Sequence, residues 1–387
     1  MRLRTVPPVS NDDLELALFQ EFTAPRLTEV VRLFEPARLT QARVLAWLTK
    51  GELAEKIGVS PAAIGQYESG VSTPRPDLLP ALAKQLQVPV EFFATGRPLG
   101  RLDVANAHFR SLRSTRAKDR AKAAAHAEQI WELTYALEKQ IRFPAVDLPL
   151  IREDTSPAEA ARILRDAWQL PRGPVPHLAA TMEARGIVIC LIQMTNEAVT
   201  RVKAYSTDAL GRPIVVVTPE RFKSVYEYRF TCAHEVGHLL MHPNPLPGDR
   251  QQEREADQFA AEFLTPKAEI EPLLPKTVRM AVLGGLSKSW GISIESLIYR
   301  MGELRLISDV SIRRAHQRLA SMADYRREEP LAAYPGEVPT LLPEALALAT
   351  RHGYHHADLA HELCWTPRHL TEVLGEVDNR PALRIVR

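Results

Sequence analysis

Along residues 10–95, apolar positions recur at spacings of three and four, broken by short turns, which is the period of helices that bury one face. Inside this stretch, TKGELAEKIGVSPAAIGQYESG (49–70) predicts two short helices. Thr49 caps the first, Leu53, Ala54 and Ile57 form its inner face, and Gly58 permits a tight turn. Ser60 caps the second, Pro61 suits its first position, and Ile64 and Tyr67 point inward. Leu39-Thr40-Gln41 imitates a helix start but belongs to a preceding helix over 37–48. The Gly96–Gly100 punctuation marks a linker, and Ser114 to about Arg142 carries one long helical pattern. The pattern then changes. Pro157–Trp168 is an amphipathic helix, whereas Gly186–Ile192 and Pro213–Val217 are β-branched runs that predict strands, with a strand and turn over 202–213. From Phe230 onward helices dominate again, and 311–387 is helical and polar, without the period of a solenoid. The expected class is mainly α with a small β-sheet. The expected divisions are 1–95 (helix-turn-helix core 36–93), 96–154 (linker and long helix), 155–310 (mixed α/β) and 311–387 (helical module).

A length of 387 residues suits two or three such domains, and 45% hydrophobic with 25% charged residues indicates globular folding. The net charge of +2 does not announce nucleic-acid binding, so any DNA-binding face is local. One local concentration, Arg110, Arg113, Arg116, Lys118, Arg120 and Lys122 at the front of the long helix, reads either as a phosphate-contacting arm or as a solvated face. Thirty prolines against 18 glycines favour stiff turns and helix starts. Cys190, Cys232 and Cys364 are scattered and form no CxxC pair, which suits a reducing cytoplasm and argues against a cysteine-ligated zinc site. The N-terminus lacks the apolar core of a signal peptide, and no stretch approaches the roughly 20 apolar residues of a membrane span. A cytoplasmic protein without membrane partners is expected.

The sharpest chemical signal is RFTCAHEVGHLLMH (229–242). Residues four apart share a helix face, so His234 and His238 can offer two imidazoles to one zinc ion. Glu235 stands about 100° around the helix, where a carboxylate serves as general base toward a water rather than as a ligand. A catalytic zinc needs a third protein ligand and one open position. The following segment, QEREADQFAAEFLTP (252–266), offers several acids. With Glu253 at 0°, Ala256, Phe259, Ala260, Phe263 and Leu264 fall between about 240° and 380° on a helical wheel. Glu253 lies within that apolar arc and is the chosen ligand. Asp257, at about 40°, is placed to accept the free ring N–H of a ligand histidine. Glu255 and Glu262, near 200° and 180°, read as solvated surface, and His242 as a helix-end contact. Ile214–Val217 reads either as an edge strand that takes an extended substrate or as a buried strand. Tyr205 and Tyr228 are candidate transition-state donors.

These two segments together resemble the ImmA/IrrE family of metallopeptidases, over roughly 155–310. The resemblance implies a gluzincin-like α+β domain whose third zinc ligand is a glutamate four residues before an Asp or Asn, a pattern that Glu253 and Asp257 match. It also implies a cytoplasmic endopeptidase with a narrow protein substrate, since characterised relatives cleave helix-turn-helix repressors in stress responses or in phage and mobile-element control.

Residues 36–93, including PDLLPALAKQLQVPVEFF (76–93), resemble the lambda-repressor-like (XRE-type) DNA-binding domains, which are all-α. The second helix would offer Ala62, Ala63 and Gln66 to the major groove of double-stranded DNA, with Ser60 near phosphate. Two alanines make a thin base-reading surface, which half-site binding by a homodimer would strengthen; contact with a protein partner is the other reading. ADLAHELCWTPRHLTEVLG (357–375) spells a second helix, turn and capped helix. It reads either as a second helix-turn-helix with Arg368 and His369 exposed or as a helical packing module. Three functions stay open at this point. One is a regulatory zinc endopeptidase that cleaves a repressor-type protein. Another is a transcriptional regulator whose zinc domain is a sensor or structural module. The third is the antitoxin-like half of a two-gene system.

Overall fold

Local caps begin the helices that the sequence leads one to expect. A computed structural model describes residues 24–102, 108–109, 117–192, 203–219, 222, 224–243, 249–322 and 334–375. After α1 (Ala24–Arg32) and α2 (Pro36–Leu45) comes α3 (Lys50–Ile57). The Thr49 hydroxyl accepts from the Glu52 N–H at 3.1 Å while the Glu52 carboxylate accepts from the Thr49 N–H at 2.6 Å, so two orphan donors are satisfied at once. Helix α2 stops short of residue 48 because Trp47 turns the chain with φ 63°. Gly58, at φ 72°, ends α3 in the left-handed region that favours glycine. Ser60 then caps α4 (Pro61–Ser69) by accepting from the Ala63 N–H at 3.1 Å. Leu53, Ala54, Ile64 and Tyr67 are buried with α5 (Leu79–Leu86), and Ile57 packs half-buried against them.

The chain continues through β1 (His108–Phe109), α6 (Ala117–Glu138), α7 (Pro157–Ala167), α8 (Leu178–Ala184), β2 (Val188–Leu191), β3 (Ala204–Thr207) and β4 (Ile214–Val217). The sheet order is β1-β3-β4-β2, with β2 parallel to β4 and the other two pairs antiparallel. Strand β4 therefore has a partner on each side and all four of its side chains are buried, so the buried reading of Ile214–Val217 holds and the edge reading does not. Helices α9 (Val225–Met241), α10 (Arg250–Leu264), α11 (Lys267–Ile270), α12 (Met280–Trp290), α13 (Ile294–Glu303) and α14 (Asp309–Ser321) follow, then α15 (Leu341–Arg351), α16 (His356–Leu363) and α17 (Pro367–Leu374).

Strand alternation divides the interior into two cores, because successive side chains point to opposite faces. Val188, Cys190, Tyr205, Ile214 and Val216 join the core shared by the helix-turn-helix, α6 and α15–α17. Ile189, Ala204, Val215 and Val217 join the core built with α7–α10 and α12–α14. Helix α6 ties the first core together. Its Glu132 carboxylate accepts from Arg38 of α2 at 2.6 Å with both side chains almost fully buried, and Trp131 Nε1–H donates to the Leu210 carbonyl at 3.0 Å. At the front of α6, Lys118 and Lys122 stand 4.8 and 5.2 Å from the centre of the Trp47 ring, so this part of the basic cluster packs beside the helix-turn-helix. Arg110, Arg113 and Arg116 lie outside the described residues.

Two carboxylates fasten the C-terminal helices to the mixed α/β part. Glu337 accepts from the N–H groups of Leu178 and Ala179 at 2.9 and 3.2 Å, capping α8. Glu183, in the last turn of α8, accepts from Thr340 and Leu341 at 3.0 Å each and caps α15. Of the two readings of the C-terminal segment, the structure favours packing. His369 is not an exposed reader: its Nε2 lies 2.8 Å from Gln129 Oε1 of α6, and burial pushes the imidazole down to about 4. No helix among the described residues is long and apolar enough to cross a membrane.

Candidate metal centre

Helix α9 starts at Ser224, whose hydroxyl accepts from the Glu227 N–H at 3.4 Å, and it is buried on almost every side from Thr231 to Leu240. Helix α10 starts at Asp249, whose carboxylate accepts from the Gln251 N–H at 2.6 Å. The two pack closely because Gly237 has no side chain. A Cβ there would lie 2.9 Å from Phe259 Cδ1. Phe259 thus lies against the α9 backbone, with Ala256 and Ala260 as small neighbours on the same buried face. That contact seats the first turn of α10 over the histidines.

The result is a triangle of donors. His234 Nε2 and His238 Nε2 are 3.0 Å apart, and the Glu253 carboxylate oxygens stand 3.6 Å from the first and 3.7 Å from the second. Among the described residues, His234, His238 and Glu253 form a group whose ligand atoms all lie within 4.8 Å of one another. Two imidazole nitrogens bound to one tetrahedral ion at about 2.0–2.1 Å stand about 3.3 Å apart, so the observed edges suit a divalent cation.

Proton accounting points the same way. A carboxylate only accepts. Asp257 Oδ1 lies 2.8 Å from His234 Nδ1, so that nitrogen carries the proton and Nε2 of a neutral ring presents its lone pair. The other histidine is held through an intermediary. Glu255 Oε2 lies 3.0 Å from His242 Nε2, which must donate; His242 Nδ1 then accepts from His238 Nδ1 at 3.0 Å. His238 Nε2 is left as a second lone pair. Two lone pairs at 3.0 Å repel unless a cation lies between them, and with Glu253 they form a neutral-neutral-anionic set matched to such a cation.

Glu235 is fully buried. Its Oε2 accepts from the Ser206 hydroxyl of β3 at 2.7 Å. Sequence reasoning passes over Ser206; its only signal is a small polar residue next to a tyrosine in a short apolar strand. Tyr205, the candidate donor beside it, points to the other sheet face and donates to the Ala123 carbonyl of α6 at 2.8 Å, away from the histidines. Tyr228 is buried in the second core, where burial pushes its phenol well above the usual value.

Two acids read as solvated surface are not so. Glu255 engages His242 and Gln251; burial works to raise its carboxyl, but those hydrogen bonds outweigh it and hold the group below its ordinary value. Glu262 is 6% exposed, pairs with Arg300 of α13 and accepts from the Lys267 N–H at 3.2 Å. A wheel drawn for α10 alone cannot contain Arg300 or His242. His242 itself is 5% exposed, and both ring nitrogens are engaged rather than facing the metal position.

The candidate DNA-reading residues lie together on α4 and its N-cap. Ser60, Ala62 and Gln66 are exposed, and Ala63 is half-buried against the core. Ser60 Oγ is already occupied as the cap. The helix carries no Lys or Arg, and its Glu68 pairs with Arg43 at 2.5 Å and Lys50 at 3.2 Å.

Residues 182–301, which contain His234, Glu235, His238 and Glu253, match the family model described as the IrrE N-terminal-like domain, and residues 39–93 match the helix-turn-helix model. The chain therefore carries a metallopeptidase-type domain behind a helix-turn-helix. No curated protein matches it.

Proposed function

We propose that this chain is a zinc-dependent endopeptidase of the HExxH, gluzincin-like type, and that it acts as a regulator by cutting a repressor-type protein. The observation that carries this reading is the convergence of His234, His238 and Glu253 within 4.8 Å, beside a buried Glu235 held by Ser206. The donor set of two neutral imidazoles and one carboxylate is that of a catalytic site with one position left open, and zinc is the metal it fits best. When bound, zinc supplies Lewis acidity toward a peptide carbonyl and the attacking water.

The protein groups have separate tasks. His234, His238 and Glu253 hold the ion, and Asp257 fixes the tautomer of His234. Glu235 takes the proton of the attacking water and delivers it to the leaving amine. The Ser206 hydroxyl holds one carboxylate oxygen, so the carboxylate keeps one orientation through both transfers. A purely structural or sensing zinc domain has no use for a buried base beside the ligands, which is why the peptidase reading is preferred to the regulator without activity. The helix-turn-helix brings the peptidase to double-stranded DNA or to a DNA-bound partner, through Ser60, Ala62, Ala63 and Gln66. That pairing supports a cytoplasmic role in stress response or in phage and mobile-element control.

The test is a comparison of new protein N-termini in cells that express the wild-type chain or Glu235→Gln. Cleavage within helix-turn-helix proteins, present only with the wild type, is expected. Identical N-termini in the two cultures, with zinc bound in both proteins, would contradict the peptidase reading.

A further inference from the structure

We propose that His242 and Glu255 are positioning residues of the metal centre, forming a relay that sets which nitrogen of His238 faces the metal. The inference rests on the metal reading given above. Three observations carry it. His242, the C-cap of α9, follows His238 by four residues, and the two rings lie 5.1 Å apart, with the Nδ1 atoms at 3.0 Å. Nitrogens at that distance share one proton. Glu255 decides where it sits: its carboxylate takes the His242 Nε2 proton at 3.0 Å, so a neutral His242 has only an acceptor to offer, and His238 must donate from Nδ1. The lone pair of His238 is thereby placed on Nε2, the atom that stands 3.0 Å from His234 Nε2 and 3.7 Å from Glu253.

The arrangement gives α10 three separate roles at alternate positions. Glu253 faces the metal, Asp257 reaches His234 directly, and Glu255 reaches His238 through a buried imidazole. The intermediary is needed because His238 lies one turn further along α9 than His234, away from the reach of Asp257. Packing alone would not require this pairing, since an apolar residue at 242 would fill the same buried space without imposing a tautomer. Direct ligation by His242 is not the role either, because its two nitrogens already face His238 and Glu255.

The experiment is zinc affinity of the full chain, by competition with a chromophoric chelator, for the wild type, His242→Phe, Glu255→Ala and Glu255→Gln. Proton-detected spectra of 15N-histidine-labelled, zinc-loaded protein accompany it. Loss of an outer partner of a ligand histidine costs about 10–100-fold in metal affinity. His242→Phe and Glu255→Ala are expected to show that loss while still binding one zinc at saturation. Glu255→Gln, whose amide oxygen still accepts, is expected to recover most of it. The wild-type spectra should show His238 protonated at Nδ1. Glu255 is partly exposed, so its variants test the relay without emptying a core position. Unchanged affinity in both His242→Phe and Glu255→Ala, or a zinc-bound His238 protonated at Nε2, overturns the relay alone. A wild-type chain that takes up no zinc overturns the metal reading, and the relay with it.

Discussion

Two helix pairs of this chain, α3–α4 and α9–α10, follow opposite designs. The first is short, capped residue by residue, and buries a few apolar side chains while Ala62 and Gln66 stay in solvent. The second is long, and α9 with its C-cap buries the side chains of His234, Glu235, His238 and His242. A buried polar group without a partner is costly, so each of those side chains must be matched by another. Burial therefore makes the second pair explicit. Once the carboxylates are located, the tautomers that neutral His234, His238 and His242 rings would take follow. An exposed alanine or glutamine carries no comparable constraint, and the first pair states its fold more clearly than its target.

Glu235→Gln removes the base and keeps the shape; turnover of a cleaved substrate should fall by about 10²–10⁴-fold, with metal content by mass spectrometry unchanged. Core truncation should separate the pairs. Phe259→Ala opens the α9–α10 contact at Gly237 and should cost about 3–5 kcal/mol in urea unfolding, with weakened zinc binding. Ile64→Ala, also fully buried, should cost about 2–5 kcal/mol and leave zinc affinity of the folded protein unchanged. Equal effects of the two on zinc would show that the pairs are not independent. On α4, Gln66→Ala should lose about 1–3 kcal/mol of preference for the selected DNA site over scrambled DNA, measured at fixed salt. The smallest effect is that of Ser60→Ala. Removing the cap from the Ala63 N–H should destabilise the helix-turn-helix by about 1 kcal/mol, visible as a shifted unfolding midpoint.

Legibility in the sequence follows the range of the interaction. Thr49, Gly58 and Ser60 act within one turn of the chain, and their expected places agree with those observed. The spacing of His234 and His238 is likewise local, and the wheel of α10 places Glu253 and Asp257 toward α9 because the buried side of a helix is periodic. The same wheel sends Glu255 and Glu262 to solvent, because it contains no information about His242 or about Arg300, which lies 38 residues beyond Glu262. Whether Ile214–Val217 is an edge or a centre depends on strand order, a property of the whole sheet. Ser206 is hidden for a related reason: only the pairing of β3 with β4 and the packing of α9 bring its hydroxyl to Glu235. His369 looks exposed in a capped helix until α6 is placed beneath it.

Zinc content of the purified full chain, beside Glu253→Ala, tests whether three side chains from two helices form one metal site. About one zinc per wild-type chain is expected, with a lost or much weakened ion in the variant, as for a site with three protein ligands. A wild-type chain without metal after incubation with zinc under reducing conditions, or a variant that holds zinc as tightly as the wild type, would contradict it.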